Sequence, residues 1–153
     1  MLSSEFLREL IPQAQKAQKQ TGICASAMMA QAILESSWGR SGLAQRAHNL
    51  FGVKADASWT GPTISIDTKE YIDGKWVIVP AKWRAYPDWE ASIEDHAKFL
   101  MDNPRYAPAL AVKDQPELFC HQLQACGYAT DPHYADLLIS IIHGRNLTQY
   151  DNI

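Results

Sequence analysis

Apolar positions along this chain recur with two different periods, and the change of period divides it into three stretches. Over residues 4–20 the apolar side chains return every three or four positions, so that Phe6, Leu7, Leu10, Ala14 and Ala17 share one side of a helix. Pro12 lies inside this pattern, removes a backbone donor, and is expected to kink the helix or mark a restart. Thr21-Gly22 ends it. A second helix is predicted from about Ser26 to Trp38, with Ala27, Ala30, Leu34 and Ser37 on a buried stripe. Met28, Gln31, Glu35 and Trp38 fall on the neighbouring stripe. Gly39 is the stop, because glycine accepts the left-handed backbone in which many helices end. Residues 41–48 read as a short irregular or helical connection.

The period changes over residues 59–84. Residues 63–72 are rich in β-branched side chains, Asp73-Gly74 is a two-residue hairpin signal, and residues 75–79 return. Pro80 belongs at an edge or a bulge, since it cannot donate to a ladder. Helical spacing then resumes. Asp88 is an N-cap ahead of an apolar stripe of Trp89, Ile93, Ala97 and Leu100, and Asn103-Pro104 ends that helix. Pro116 suits a first helical position, with a helix reaching Cys126 and Gly127 as its stop. Asp131-Pro132 repeats that start, with Asp131 as N-cap, and the last helix turns Tyr134, Leu137, Leu138, Ile141 and Ile142 inward before ending near Gly144. Periodicity alone gives a mostly helical protein with one hairpin. No internal repeat or low-complexity segment interrupts it, and 153 residues suit one domain with a single core.

Composition narrows the class. An apolar fraction of 46% with 20% charged residues is ordinary for a globular protein. The net charge of −3 leaves no footprint for nucleic acid or an anionic membrane. No apolar run approaches the roughly 20 residues of a membrane span. Cys24, Cys120 and Cys126 are an odd set without CxxC spacing, so reduced, buried thiols are expected, and a disulfide is left open. His48, His96, His121, His133 and His143 show no ligand spacing, so neither a metal nor a cofactor is expected.

The candidate chemistry centres on Glu35. It falls in the last turn of the second helix, where the helix dipole is negative and a carboxylate is disfavoured. Trp38, one turn on, is expected to keep water off it. Both effects raise the pKa of a carboxyl group, and a glutamic acid still protonated near neutral pH is a general acid. An isolated glutamate at a helix end reads first as solvated; the surrounding motifs favour the chemical reading.

Those motifs are Ala30-Gln31-Ala32-Ile33-Leu34-Glu35-Ser36-Ser37-Trp38-Gly39, then Asn49-Leu50-Phe51-Gly52-Val53-Lys54, then Gly127-Tyr128-Ala129-Thr130-Asp131-Pro132. In this order they resemble the bacterial peptidoglycan-cleaving N-acetylglucosaminidases, the family that includes the hydrolase domain of the flagellar protein FlgJ. The resemblance implies a lysozyme-like α+β fold, a helical lobe and a small β lobe with a cleft between them. It implies cleavage of the β-1,4 glycan of peptidoglycan after N-acetylglucosamine, with Glu35 as the acid. Glu70 matches a glutamate in the family's hairpin, and Tyr128 matches a tyrosine that faces the acid. Asn49 and Phe51 match a piece that lines the cleft. Trp38, Phe51, Tyr71 and Tyr106, with Trp59 and Tyr86, are aromatic candidates for sugar platforms, each of which alone also reads as core.

Two routes stay open. Glu70 as a second carboxylate would activate water, or the sugar's own acetamido group would attack with Tyr128 stabilising the charge. A muramidase or lytic transglycosylase on the same fold, and a non-catalytic glycan-binding module, are the competing functions. The start Met1-Leu2-Ser3-Ser4-Glu5 lacks a basic region and apolar core, so no signal peptide is expected. Such a protein would be made in the cytoplasm and reach the periplasm or cell wall through a holin or a secretion system. Its partners would be glycan strands and, for a delivered effector, an immunity protein plugging the cleft.

Overall fold

The computed structural model describes residues 1–153. Helix α1 (Ser3–Thr21) buries Phe6, Leu10, Ala14 and Ala17 and ends at Gly22 in the left-handed region. It is a single helix: Pro12 stands inside it on the exposed side, where the carbonyl it leaves without a partner is on a solvated face. Helix α2 (Ala25–Ser36) is enclosed on all sides, with every residue buried except Leu34 and Glu35. Four alanines let its neighbours approach closely, and its polar side chains are all engaged. The Asp151 carboxylate accepts from the Ser26 N–H at 2.7 Å and from its hydroxyl at 2.6 Å. Ser36 donates to the Ala32 carbonyl at 2.5 Å and accepts from the Gly39 N–H at 2.8 Å.

The helix ends two residues earlier than the glycine signal implies. Ser37, Trp38 and Gly39 all have positive φ, at 51°, 60° and 76°. Ser37 is therefore an exposed cap, and the expected stripe through it stops at Ala30 and a half-buried Leu34. Gly39 is needed where it stands: a Cβ there would meet the Phe6 ring at 2.6 Å. Helix α3 (Gly42–Ala47) follows, its N-terminus capped by Ser41, which accepts from the Ala44 N–H at 3.1 Å.

The β lobe is one antiparallel ladder in two pieces. β1 (Thr63–Ser65) pairs with β4 (Lys82–Arg84), and β2 (Thr68–Ile72) pairs with β3 (Lys75–Val79) around the Asp73-Gly74 turn. Partners Ser65↔Lys82 and Thr68↔Val79 keep one register, which sets Asp67 opposite Pro80. Proline has no N–H to give there, so the ladder breaks at that pair. The outer piece stands off the body, with Tyr71, Ile72, Trp76, Val77 and Ile78 all exposed.

Helix α4 (Trp89–Asp102) starts at Asp88, which accepts from the Ala91 N–H at 2.8 Å. A 3-10 turn (Pro104–Tyr106) and helix α5 (Ala107–Leu110) lead to α6 (Pro116–Ala125) and α7 (Tyr134–Gly144), and a 3-10 segment (Leu147–Asp151) returns to α2. Asp131 does not cap α7. It accepts from the His133 N–H at 2.8 Å and shapes the turn before the helix. Leu137, expected inward, is exposed, while Tyr134, Leu138 and Ile142 are buried. Cys24, Cys120 and Cys126 are free thiols, and burial pushes Cys24 and Cys120 up to about 12. No helix is long and apolar enough to cross a membrane.

His96 of α4 is wholly buried in this core, and burial lowers its pKa from 6.5 to about 3. Between those values the unfolded chain binds a proton that the folded chain refuses. Stability therefore falls as pH drops from about 6.5 toward about 3. At about 1.4 kcal/mol per pH unit, this one group accounts for up to about 5 kcal/mol. Urea unfolding across that window should show the loss in the wild-type protein and a shallower slope in a His96→Phe variant. Equal slopes would assign the acid sensitivity to other groups.

Candidate active site

Glu35 is where α2 leaves the core. Its carboxyl opens on a cavity of about 510 Å³ between the helices and the β lobe, lined also by Phe51, Lys54, Arg84, Tyr106 and Tyr128. A second cavity of about 540 Å³ shares Asp56, Arg84 and Phe99 with the first, so the depression continues as a groove. Burial among these walls raises the Glu35 pKa, against a hydrogen bond from the Tyr134 hydroxyl at 3.2 Å that lowers it. The net direction is upward, toward a carboxyl group that keeps its proton.

Tyr128 enters the same cavity from the turn after α6. Gly127 there has φ 81°, and a Cβ would meet the Arg105 guanidinium at 2.6 Å. That guanidinium ties the turn down by donating to the carbonyls of Cys126 and Gly127, both at 2.7 Å. The Tyr128 ring stacks on Tyr134 at 5.5 Å and meets His96 edge-on at 5.8 Å. Burial holds its phenol well above its ordinary pKa, so the hydroxyl keeps its proton. Whereas the Tyr134 hydroxyl is committed to Gln31 and Glu35, that of Tyr128, which lines the cavity, has no hydrogen-bond partner within the protein.

The other expected site residues divide. Phe51 lines the cavity and stacks face to face on His96 at 3.8 Å; Tyr106 lines it too and is otherwise buried. Asn49 does not reach the groove. Its amide nitrogen donates to the Val53 and Arg84 carbonyls at 2.9 and 2.8 Å, and its oxygen accepts from the Val53 N–H at 3.1 Å. It is the buried brace that shapes the loop presenting Phe51 and Lys54. Tyr71 is on the outer hairpin, 63% exposed and against Trp76, away from the lining of either cavity. Glu70 is also absent from that lining. Its carboxylate pairs with Lys54 at 3.7 Å, and Lys54 is what reaches the cavity.

Trp38 does not cover Glu35. The left-handed run after Ser36 turns its ring to the other side, where it meets Phe6 edge-on at 6.3 Å and carries the Arg145 guanidinium over its face at 4.5 Å. The walls of the cavity beside Glu35 come instead from residues distant in sequence, among them Tyr106 and Tyr128.

Several site residues have no signal in the local sequence. Arg84 is buried in β4. It donates to the Lys54 carbonyl at 3.2 Å, pairs with Asp95 at 2.9 Å, and stacks over Trp59 at 4.8 Å. Gln31, His96 and Tyr134 form a buried chain ending on Glu35, with Gln31 to Tyr134 at 3.0 Å and His96 to Gln31 at 2.9 Å. The one usable hint is the helical spacing of Gln31 and Glu35, which puts both on one face.

A helical body with a small β lobe, and a raised glutamate at the floor of the groove between them, define the lysozyme-like class of glycoside hydrolases. The family model described as mannosyl-glycoprotein endo-beta-N-acetylglucosaminidase matches residues 11–147, and the chain belongs to this glucosaminidase family. It is 42% identical over 137 residues to the peptidoglycan hydrolase FlgJ of Pseudomonas aeruginosa, covering 87% of this chain and 34% of that protein. It is 37% identical to the exo-glucosaminidase LytG of Bacillus subtilis, covering 97% of this chain and 53% of the relative. The chain thus spans about a third to a half of these curated relatives. Among solved structures, the catalytic domain of the autolysin Auto from Listeria monocytogenes is similar with a TM-score of 0.88 at 36% identity, covering 97% of this chain and 87% of that one.

The position of Trp38 has a measurable consequence. A Trp38→Leu variant should lose stability by about 1–3 kcal/mol through its contacts with Phe6 and Arg145. The titration of the Glu35 carboxyl should stay where it is, because the ring does not cover it. A titration displaced in a folded variant would return Trp38 to the surroundings of Glu35.

Proposed function

We propose that this chain hydrolyses the β-1,4 glycan backbone of peptidoglycan after N-acetylglucosamine, by a substrate-assisted route. The observation that carries the reading is the pairing, within one groove, of a carboxyl group biased toward its protonated form with an uncommitted tyrosine hydroxyl. Glu35 gives its proton to the glycosidic oxygen as the bond from the anomeric carbon breaks. The acetamido carbonyl oxygen of the same sugar closes on that carbon, and the Tyr128 hydroxyl steadies the charge. Water then opens the ring so formed and returns a proton to Glu35. Phe51 and Tyr106 supply apolar wall, and Lys54 and Arg84 supply polar contacts for the sugar's substituents.

The water-activating alternative needs a second carboxylate in the groove. Glu70 is engaged with Lys54 at the groove's edge, which favours a part in holding the β lobe over the glycan. The site of action in this reading is the cell wall or periplasm. A protein inhibitor seated in the groove is the further partner expected if the chain serves as a delivered effector.

Two measurements test this. Glu35→Gln keeps the shape but cannot protonate, and should lower turnover of purified sacculi by at least about two orders of magnitude with the fold intact. New reducing N-acetylglucosamine ends in the digest, read by mass spectrometry, support the bond assignment; reducing or anhydro-muramic ends overturn it. The anomer decides the route. Early product seen by NMR should keep the β configuration, and Tyr128→Phe should harm turnover more than Glu70→Gln. An α product would restore water activation by a carboxylate.

A further inference from the structure

The buried chain behind Glu35 has a direction, and the direction follows from three hydrogen-bond inventories. His96 is enclosed by Phe51, Phe99, Tyr128 and Gln31, with no ionised side chain against its ring. It is neutral, so one ring nitrogen carries a proton and the other does not. Nδ1 is buried and has no partner, while Nε2 lies 2.9 Å from Gln31 Oε1. A buried N–H without an acceptor is costlier than a bare ring nitrogen, so the proton belongs on Nε2. Nε2 then donates to Gln31, which fixes the amide with its nitrogen toward Tyr134. That nitrogen donates to the Tyr134 oxygen at 3.0 Å. The Tyr134 proton must point elsewhere, and Glu35 Oε1 at 3.2 Å receives it.

We propose that His96, Gln31 and Tyr134 form a one-way hydrogen-bond relay that holds the Glu35 carboxyl and keeps Oε1 as an acceptor. The proton that Glu35 delivers is thereby confined to Oε2, the oxygen left free for the groove. Gln31 and His96 are positioning residues: neither lines the groove, and each acts through the next. The Tyr134 bond also opposes the effect of burial on Glu35, so the relay keeps the acid able to give up its proton. Tyr134 and Tyr128 are titratable groups that interact with the carboxyl, from α7 and the turn before it, and Lys54, Asp56 and Arg84 face the same groove from the β-lobe side. The role of Glu35 as acid rests on the function proposed above; the direction of the relay does not.

The test has one part that needs no variant. Nitrogen-15 NMR of His96 in the wild-type protein should find Nε2 protonated and Nδ1 bare. A proton on Nδ1 would reverse Gln31 and overturn the relay. The second part is a carbon-13 titration of the Glu35 carboxyl in wild type, Tyr134→Phe and Gln31→Met. Loss of the donor should move the Glu35 titration upward by about one pH unit in Tyr134→Phe, the size of a hydrogen bond to a charged group. Gln31→Met should move it in the same direction, and the basic limb of hydrolysis should follow in both. A Glu35 titration unchanged in the folded variants would sink the relay. A wild-type protein inert toward sacculi whose titrations still shift would sink the glycosidase reading and leave the relay standing.

Discussion

A helix can be enclosed on every side only if its side chains are small or apolar and each polar group finds a partner inside. Helix α2 meets that demand, and most of the molecule is arranged to meet it. The C-terminal segment brings Asp151 to its first turn. Helix α4 supplies His96 and α7 supplies Tyr134 for Gln31 at its middle, and Ser36 folds back on its own last turn. Glu35 is the residue the enclosure cannot take. A carboxyl group in the core without partners costs several kcal/mol, so the packing opens beside it. The cavity at Glu35 is the place where the burial of α2 ends.

The groove inherits its properties from that arrangement. The rigid side is a helix end held in a packed core, which fixes the Glu35 carboxyl. Two of the other walls are turns, each braced by one polar side chain. Asn49 closes the loop that carries Phe51 and Lys54, and Arg105 closes the turn that carries Tyr128. The outer hairpin contributes least to the core. Its apolar side chains stand exposed, and its ladder is weakened at Asp67 and Pro80, so the β lobe is the part of the molecule least tied to the rest.

Period and turn chemistry made much of this legible from residues alone. The helices α1, α2, α4, α6 and α7 lie close to where apolar spacing sets them, and Asp88, Gly22 and Asp73-Gly74 act as the signals their chemistry implies. Glu35 in the last turn of α2 was legible because a helix stop within a few residues is enough to locate it. Where the reading failed, a neighbour distant in sequence decided the outcome. Ser37 and Trp38 leave the helix early with positive φ, and Trp38 packs edge-on against Phe6 of α1. Asn49 turned inward because the Arg84 carbonyl was there to be bonded, and Glu70 turned to Lys54.

The chain by itself determined which segments coil, which pair, and that one carboxyl would sit in the last turn of a helix with a buried stripe, because those outcomes depend on side chains within a few turns of one another. The three motifs also carried the glucosaminidase family and its lysozyme-like fold. Only the tertiary structure decided what surrounds that carboxyl. Phe51, Tyr106 and Tyr128 line the cavity beside it where Trp38 does not, and its hydrogen bond comes from Tyr134, 99 positions away in the chain. A pKa and a proton's direction depend on burial and on the partners of partners. Those are set by packing between elements, which no local pattern records.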